Sequence, residues 1–129
     1  MNKLEKENVI GISALLVHAA KIDEIYSEHE KDLVKSFIKS YLKDDNINET
    51  LKKAEEIESN SNQLLSFTNI IKKNSMDIKK DIIEHLWKVI VSDNTVDQYE
   101  SNLMRRICGL IYFPDKECAE IKLKLMNSK

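Results

Sequence analysis

Apolar residues recur at helical spacing along almost the whole chain, and little interrupts them: there are 2 glycines and 1 proline in 129 residues. A β sandwich or barrel needs many tight turns, and tight turns draw heavily on glycine and proline. A chain this poor in both is ill equipped for one. The same scarcity removes glycine-cradled phosphate sites, because neither a G-x-G-x-x-G nor a P-loop pattern is present.

The periodicity predicts a first helix with Val9, Ile12, Leu15, Leu16 and Ala19 on one face, stopping near Lys21 to Asp23. Ser27-Glu28-His29-Glu30 matches a capping box and opens a second helix that turns Leu33, Val34, Phe37, Ile38 and Tyr41 inward. A third, over about 47–59, carries Leu51, Ala54 and Ile57 as a thin stripe, with Lys52, Lys53, Glu55, Glu56 and Glu58 solvated. Leu64, Leu65, Phe67, Ile70 and Ile71 mark a fourth. Ser75 caps a fifth bearing Ile78, Ile82, Ile83, Leu86, Trp87, Ile90 and Val91. A sixth starts at Asp97. A seventh starts at Pro114, where proline suits the first turn, with Tyr112-Phe113 as a hydrophobic staple into it. The expectation is an all-α fold: a single domain over residues 1–129, built as a bundle of about seven helices.

Charge and targeting narrow the function classes. Twenty basic against 22 acidic residues leave a net charge of −2, which supplies little phosphate affinity and speaks against a nucleic-acid partner. The polar start lacks the pattern of a signal peptide, and no stretch approaches the roughly 18 apolar residues of a membrane span. The cytoplasm is the expected location. Cys108 and Cys118 read as packed thiols. They could pair in principle, but no neighbouring histidine makes a zinc site with them.

The chain resembles itself at an offset of 70 residues: Leu16 falls on Leu86, Asp23 on Asp93, Ser27 on Asp97, Glu30 on Glu100, Leu33 on Leu103, and Lys35 on Arg105. The repeated unit is helix, acidic bend, capped helix. Two readings compete for its carboxylates. In one, they bond backbone N–H groups and cap the next helix, each cap being worth roughly 1 kcal/mol. In the other, oxygen ligands gather at the bend around a hard divalent cation. An EF-hand is excluded, because Glu follows Asp by seven residues in both copies and no glycine stands between.

The same residues carry a family resemblance. Glu84-His85-Leu86-Trp87-Lys88-Val89, the bend Ser92-Asp93-Asn94 and the segment from Tyr99 to Ile107 are similar to the tellurite-resistance TerB-like family. Its hallmark is an Ala-Asp-Gly-like bend followed by a glutamate in the next helix. Leu64-Leu65-Ser66-Phe67-Thr68 is similar to the family's middle segment, and the likeness runs from about residue 10 to residue 125. The resemblance implies an all-helical bundle with pseudo-twofold halves. It also implies a cytoplasmic, bacterial setting, a link to tellurite and stress resistance, and metal binding. The carry-over lands on Asp23, Glu30, Asp93 and Glu100, with Asp97 as a fifth candidate ligand. The family's bend glycine is replaced by Glu24 and Asn94. Asparagine accepts a left-handed backbone better than glutamate does, so the second bend is the stronger candidate.

Catalysis finds no support in the sequence. His18, His29 and His85 form no H-E-x-x-H pair or triad, and Ser13, Ser36 and Ser66 lack a nucleophile elbow. Trp87 reads either as core or as a partner-facing anchor. Arg105 and Arg106 read either as solvated side chains or as a surface for an anionic partner. The resulting expectation is a non-catalytic binding or scaffold domain with a divalent cation at the acidic bends. Its alternative is a pure protein–protein interaction module whose acidic bends serve only as caps. The sequence is silent on oligomeric state.

Overall fold

Seven helices and no strand occupy the residues described by the computed structural model, which are 5–21, 27–42, 46–60, 65–91 and 98–127. In chain order they are α1 (Lys6–Ala20), α2 (Glu28–Tyr41), α3 (Ile47–Asn60), α4 (Leu65–Lys72), α5 (Met76–Ile90), α6 (Gln98–Leu110) and α7 (Asp115–Asn127).

The first helix is buried on more than the single face its spacing predicts. Val9, Ile12, Ala14, Leu15, Leu16, Val17, Ala19 and Ala20 are all buried, as are Gly11 and Ser13. Residues 9–17 contain no charge, and a helix that is apolar all round has to be covered all round. Helices α2, α3, α4 and α5 pack against it and supply that cover. Small residues set how near they come. A Cβ added at Gly11 would lie 2.5 Å from Ile70 Cδ1 of α4, so the glycine makes room for that methyl group. Ser13 is the polar exception: its hydroxyl is fully buried and has no hydrogen-bond partner among the described residues.

The third helix corrects the predicted stripe at its end. Leu51 and Ala54 face the core, but Ile57 is 42% exposed, while the Glu58 side chain is only 11% exposed. The reason lies in α1, whose apolar run has ended at this level. Lys21 Nζ donates to Glu58 Oε1 at 2.8 Å, and His18 Nδ1 lies 3.3 Å from Glu58 Oε2. A carboxylate finds partners here and an isoleucine does not.

Helix α5 starts at Ser75, whose Oγ accepts from the Ile78 N–H at 3.4 Å, and it buries Ile82, Ile83, Leu86 and Ile90. Its main neighbours are α1, α2 and α7. The turn from α6 to α7 is a Schellman motif. Phe113 N–H donates to the Cys108 carbonyl at 2.9 Å and Tyr112 N–H to that of Gly109 at 3.4 Å. Tyr112 takes the left-handed conformation (φ 59) in which glycine is usual. The anticipated staple is therefore divided: Phe113 is buried, whereas Tyr112 points out with Lys72 Nζ 4.8 Å from its ring centre. Pro114 offers its carbonyl to the Cys118 N–H at 3.1 Å and so begins α7.

Two substitutions in α1 test this account in opposite directions. Leu16→Ala empties part of the enclosed core and should lower unfolding stability by about 2–5 kcal/mol. Ser13→Ala removes an unpaired buried hydroxyl and should raise it by about 1 kcal/mol. Urea midpoints at unchanged slope measure both. A destabilised Ser13→Ala would mean that the hydroxyl has a partner after all.

Candidate functional site

At the first acidic bend the described structure provides Glu30. Ser27 and Glu30 form the predicted capping box: Ser27 N–H donates to Glu30 Oε1 at 2.9 Å, and Glu30 N–H donates to Ser27 Oγ at 3.2 Å. The Ser27 hydroxyl also donates to Glu30 Oε1 at 3.1 Å. Glu30 is buried and its Oε1 is committed to the cap. Asp23, Asp93 and Asp97 lie outside the described residues, and so does the side chain of Glu100. Among the described residues no group of three or more His, Cys, Asp or Glu side chains is arranged to hold a metal.

Two of the histidines are engaged in packing. His18 meets Glu58, as above. His85 Nδ1 donates to the Asp81 carbonyl at 2.8 Å, and its ring sits edge-on to Phe37 at 5.1 Å. Tyr41 donates its hydroxyl to Asp81 Oδ2 at 2.6 Å, tying α2 to α5. Burial, and then the hydrogen bond to the Asp81 carboxylate, hold the Tyr41 hydroxyl well above the ordinary tyrosine range.

A groove of about 580 Å³ opens between α5, α6 and α7, and several residues singled out separately in the sequence meet there. Trp87, Met104 and Cys118 line it from the inward faces of the three helices, whereas Arg105, Asp115, Lys116 and Lys122 stand around it. Trp87 is 3% exposed, so its role in the core is real, yet it also lines the groove. Lys122 Nζ lies 5.5 Å from the centre of the Trp87 ring, where the negative face of the indole attracts it. Arg105 borders the groove, and Arg106 is exposed beside it. Neither arginine forms an ion pair among the described residues.

The two cysteines are both buried, and neither is in a disulfide. Trp87 Nε1 donates to Cys118 Sγ at 3.3 Å. The influence of the Cys108 side chain is the largest of those pulling Cys118 down to about 7. Burial works against it, the Trp87 N–H and the Lys122 charge assist, and Asp115 opposes. Cys108 moves the other way, pushed up by the Cys118 side chain and by burial. Both are packed thiols, as the sequence suggests, with Cys108 fully enclosed in the core.

A family model described as tellurite resistance protein TerB matches residues 9–123, most of the chain. The chain belongs to that family. No curated protein and no solved structure gives a match. Among the described residues no helix is long and apolar enough to cross a membrane.

Proposed function

We propose that this TerB-family chain is a non-catalytic, cytoplasmic binding domain whose working surface is the groove between α5, α6 and α7, and that its occupant is an acidic segment of a partner protein. One observation carries the reading. Among the described residues, Arg105, Lys116 and Lys122 line the groove with one carboxylate, that of Asp115, in a chain whose net charge is −2. The described lining charges are net positive, opposite in sign to the total, and a positive surface selects an oppositely charged partner. Trp87 and Met104 give the groove an apolar floor on which such a segment could anchor. His18 and His85 are engaged by Glu58 and by the Asp81 carbonyl, which supports a structural role for both. Membership of the family supports a place in the response to tellurite or another stress.

An NMR titration with a synthetic peptide of alternating glutamate and leucine tests the groove. The Trp87 indole N–H resonance should shift saturably, and added salt should weaken the effect. The Arg105→Glu/Lys122→Glu double variant should bind about tenfold more weakly. No saturable shift, or an equal shift with a lysine–leucine peptide, would overturn the assignment.

A second reading keeps the divalent cation at the acidic bends, with Asp23, Glu30, Asp93, Asp97 and Glu100 as its ligands. It is favoured by the burial of Glu30, an ionisable side chain with only 6% exposure at the first bend, together with the recurrence of Asp and Glu at the same spacing 70 residues later. Calorimetric titration of chelator-treated protein with calcium, magnesium, manganese and zinc measures it. Saturable heat that disappears in Asp93→Ala is the expected result. If no ion binds at concentrations below about 1 mM, and Asp93→Ala alters only stability, the bends are caps alone.

A further inference from the structure

We propose, on the groove assignment above, that the acidic segment entering the groove is the start of α2 of a second copy of this chain, so that copies join head to tail. Acidic residues crowd one stretch of the sequence. Asp23, Glu24, Glu28, Glu30 and Asp32 stand there with Lys31 as the one lysine or arginine among residues 23–32, and Ile25 and Tyr26 add apolar side chains between them. That composition complements a groove floored by Trp87 and Met104 and bordered by Arg105, Lys116 and Lys122. Where the structure describes the stretch, its carboxylates divide by task. Glu30 is buried and closes the capping box. Glu28 and Asp32, four residues apart on one face of α2, are both exposed. Lys31 Nζ lies 3.6 Å from Glu28 Oε1, yet the Glu28 side chain keeps 83% exposure. The acidic surface ends with these first turns, because the next residues on the same face are Lys35 and Lys39.

The acidic start and the groove belong to different parts of the fold. Helix α2 packs mainly against α1, α3 and α5, and α7 mainly against α5 and α6. No described residue lining the groove comes from α2. Val34, Phe37 and Ile38 fix α2 in the core, and Tyr41 ties it to Asp81 of α5, so a chain does not deliver this start to its own groove. A second copy does. Arg105 and Lys116 are exposed on the groove's border and meet the incoming carboxylates of Glu28 and Asp32. The two surfaces differ, so the contact is heterologous. Each added copy brings a groove at one end and an acidic start at the other, and the series closes into a ring or continues as a filament.

Sedimentation velocity of the folded full chain reads the assembly. Between about 0.01 M and about 1 M salt the screening length falls from about 30 Å to about 3 Å. At low salt the sedimentation coefficient should rise with protein concentration, and at high salt it should fall toward that of the monomer. Two variants then block opposite ends. Arg105→Glu/Lys122→Glu removes the groove's attraction, and Glu28→Lys/Asp32→Lys removes that of the acidic start while leaving the Ser27–Glu30 cap in place. Each alone, checked by circular dichroism, should sediment as a monomer. Mixed, they should form a 1:1 dimer that grows no further, because one partner keeps only a groove and the other only an acidic start. Should a reversal variant fail to fold, the neutral Glu28→Gln/Asp32→Asn variant takes its place, with self-association about tenfold weaker than in the wild type.

The Glu28→Lys/Asp32→Lys variant also separates this inference from the groove assignment. Its groove is intact, so the glutamate–leucine peptide should still shift its Trp87 indole resonance. Peptide binding by a chain that does not self-associate would leave the groove assignment standing and overturn the head-to-tail contact. Absence of peptide binding would overturn both. A wild type that stays monomeric at low salt up to about 1 mM overturns the proposal, and so does assembly that persists undiminished in either charge-reversed variant.

Discussion

The enclosure of α1 governs the rest of the molecule. From Val9 to Val17 the helix offers no charged side chain, and each large apolar residue kept from water contributes about 1.5–3 kcal/mol. No orientation of such a helix can leave one side wet without forfeiting part of that gain, so α2, α3, α4 and α5 gather around it. The close approaches follow. Gly11 admits an Ile70 methyl group, and Ala14, Ala19 and Ala20 are buried among the surrounding helices. Where the apolar run ends, polarity returns abruptly, and Glu58 of α3 turns in to meet Lys21 and His18.

The candidate site lies away from that centre. Helix α7 is held chiefly through α5 and α6, and the groove opens where these three helices meet. Its chemistry comes from residues that are individually ordinary: a tryptophan in the core, an arginine on a helix surface, two buried cysteines. Their effect is collective. The Trp87 ring serves the core with its body, a cation with its face, and a sulfur with its N–H. A site of this kind combines packing with polarity, and the Trp87 N–H that reaches Cys118 helps pull its thiol below the ordinary range.

Much of the fold was legible because helical periodicity and capping are local properties. Ser27 with Glu30, and Ser75 with Ile78, needed only a few neighbouring residues to declare themselves, and the structure realises both. The end of α3 was not legible. Ile57 and Glu58 are adjacent, and which of them turns inward depends on the side chains that α1 presents at that level, which lie about 40 residues away in sequence. The site was readable in pieces. Arg105 and Trp87 stood out by residue type, but their meeting with Lys122 depends on how α7 packs across α5. The cysteines read from the sequence as packed thiols, and both are buried. The acidic bends at Asp23 and Asp93 were conspicuous in the sequence, and of their candidate ligands the described structure gives a side-chain setting only for Glu30.

The account rests on a body centred on α1 with α7 attached at its side, and native-state hydrogen exchange measures that hierarchy directly. Amides of α1 should exchange only through global unfolding, at a free energy equal to that from urea denaturation, while amides of α7 should exchange through a smaller opening at lower free energy. Exchange of α1 at a lower free energy than α7 would contradict it.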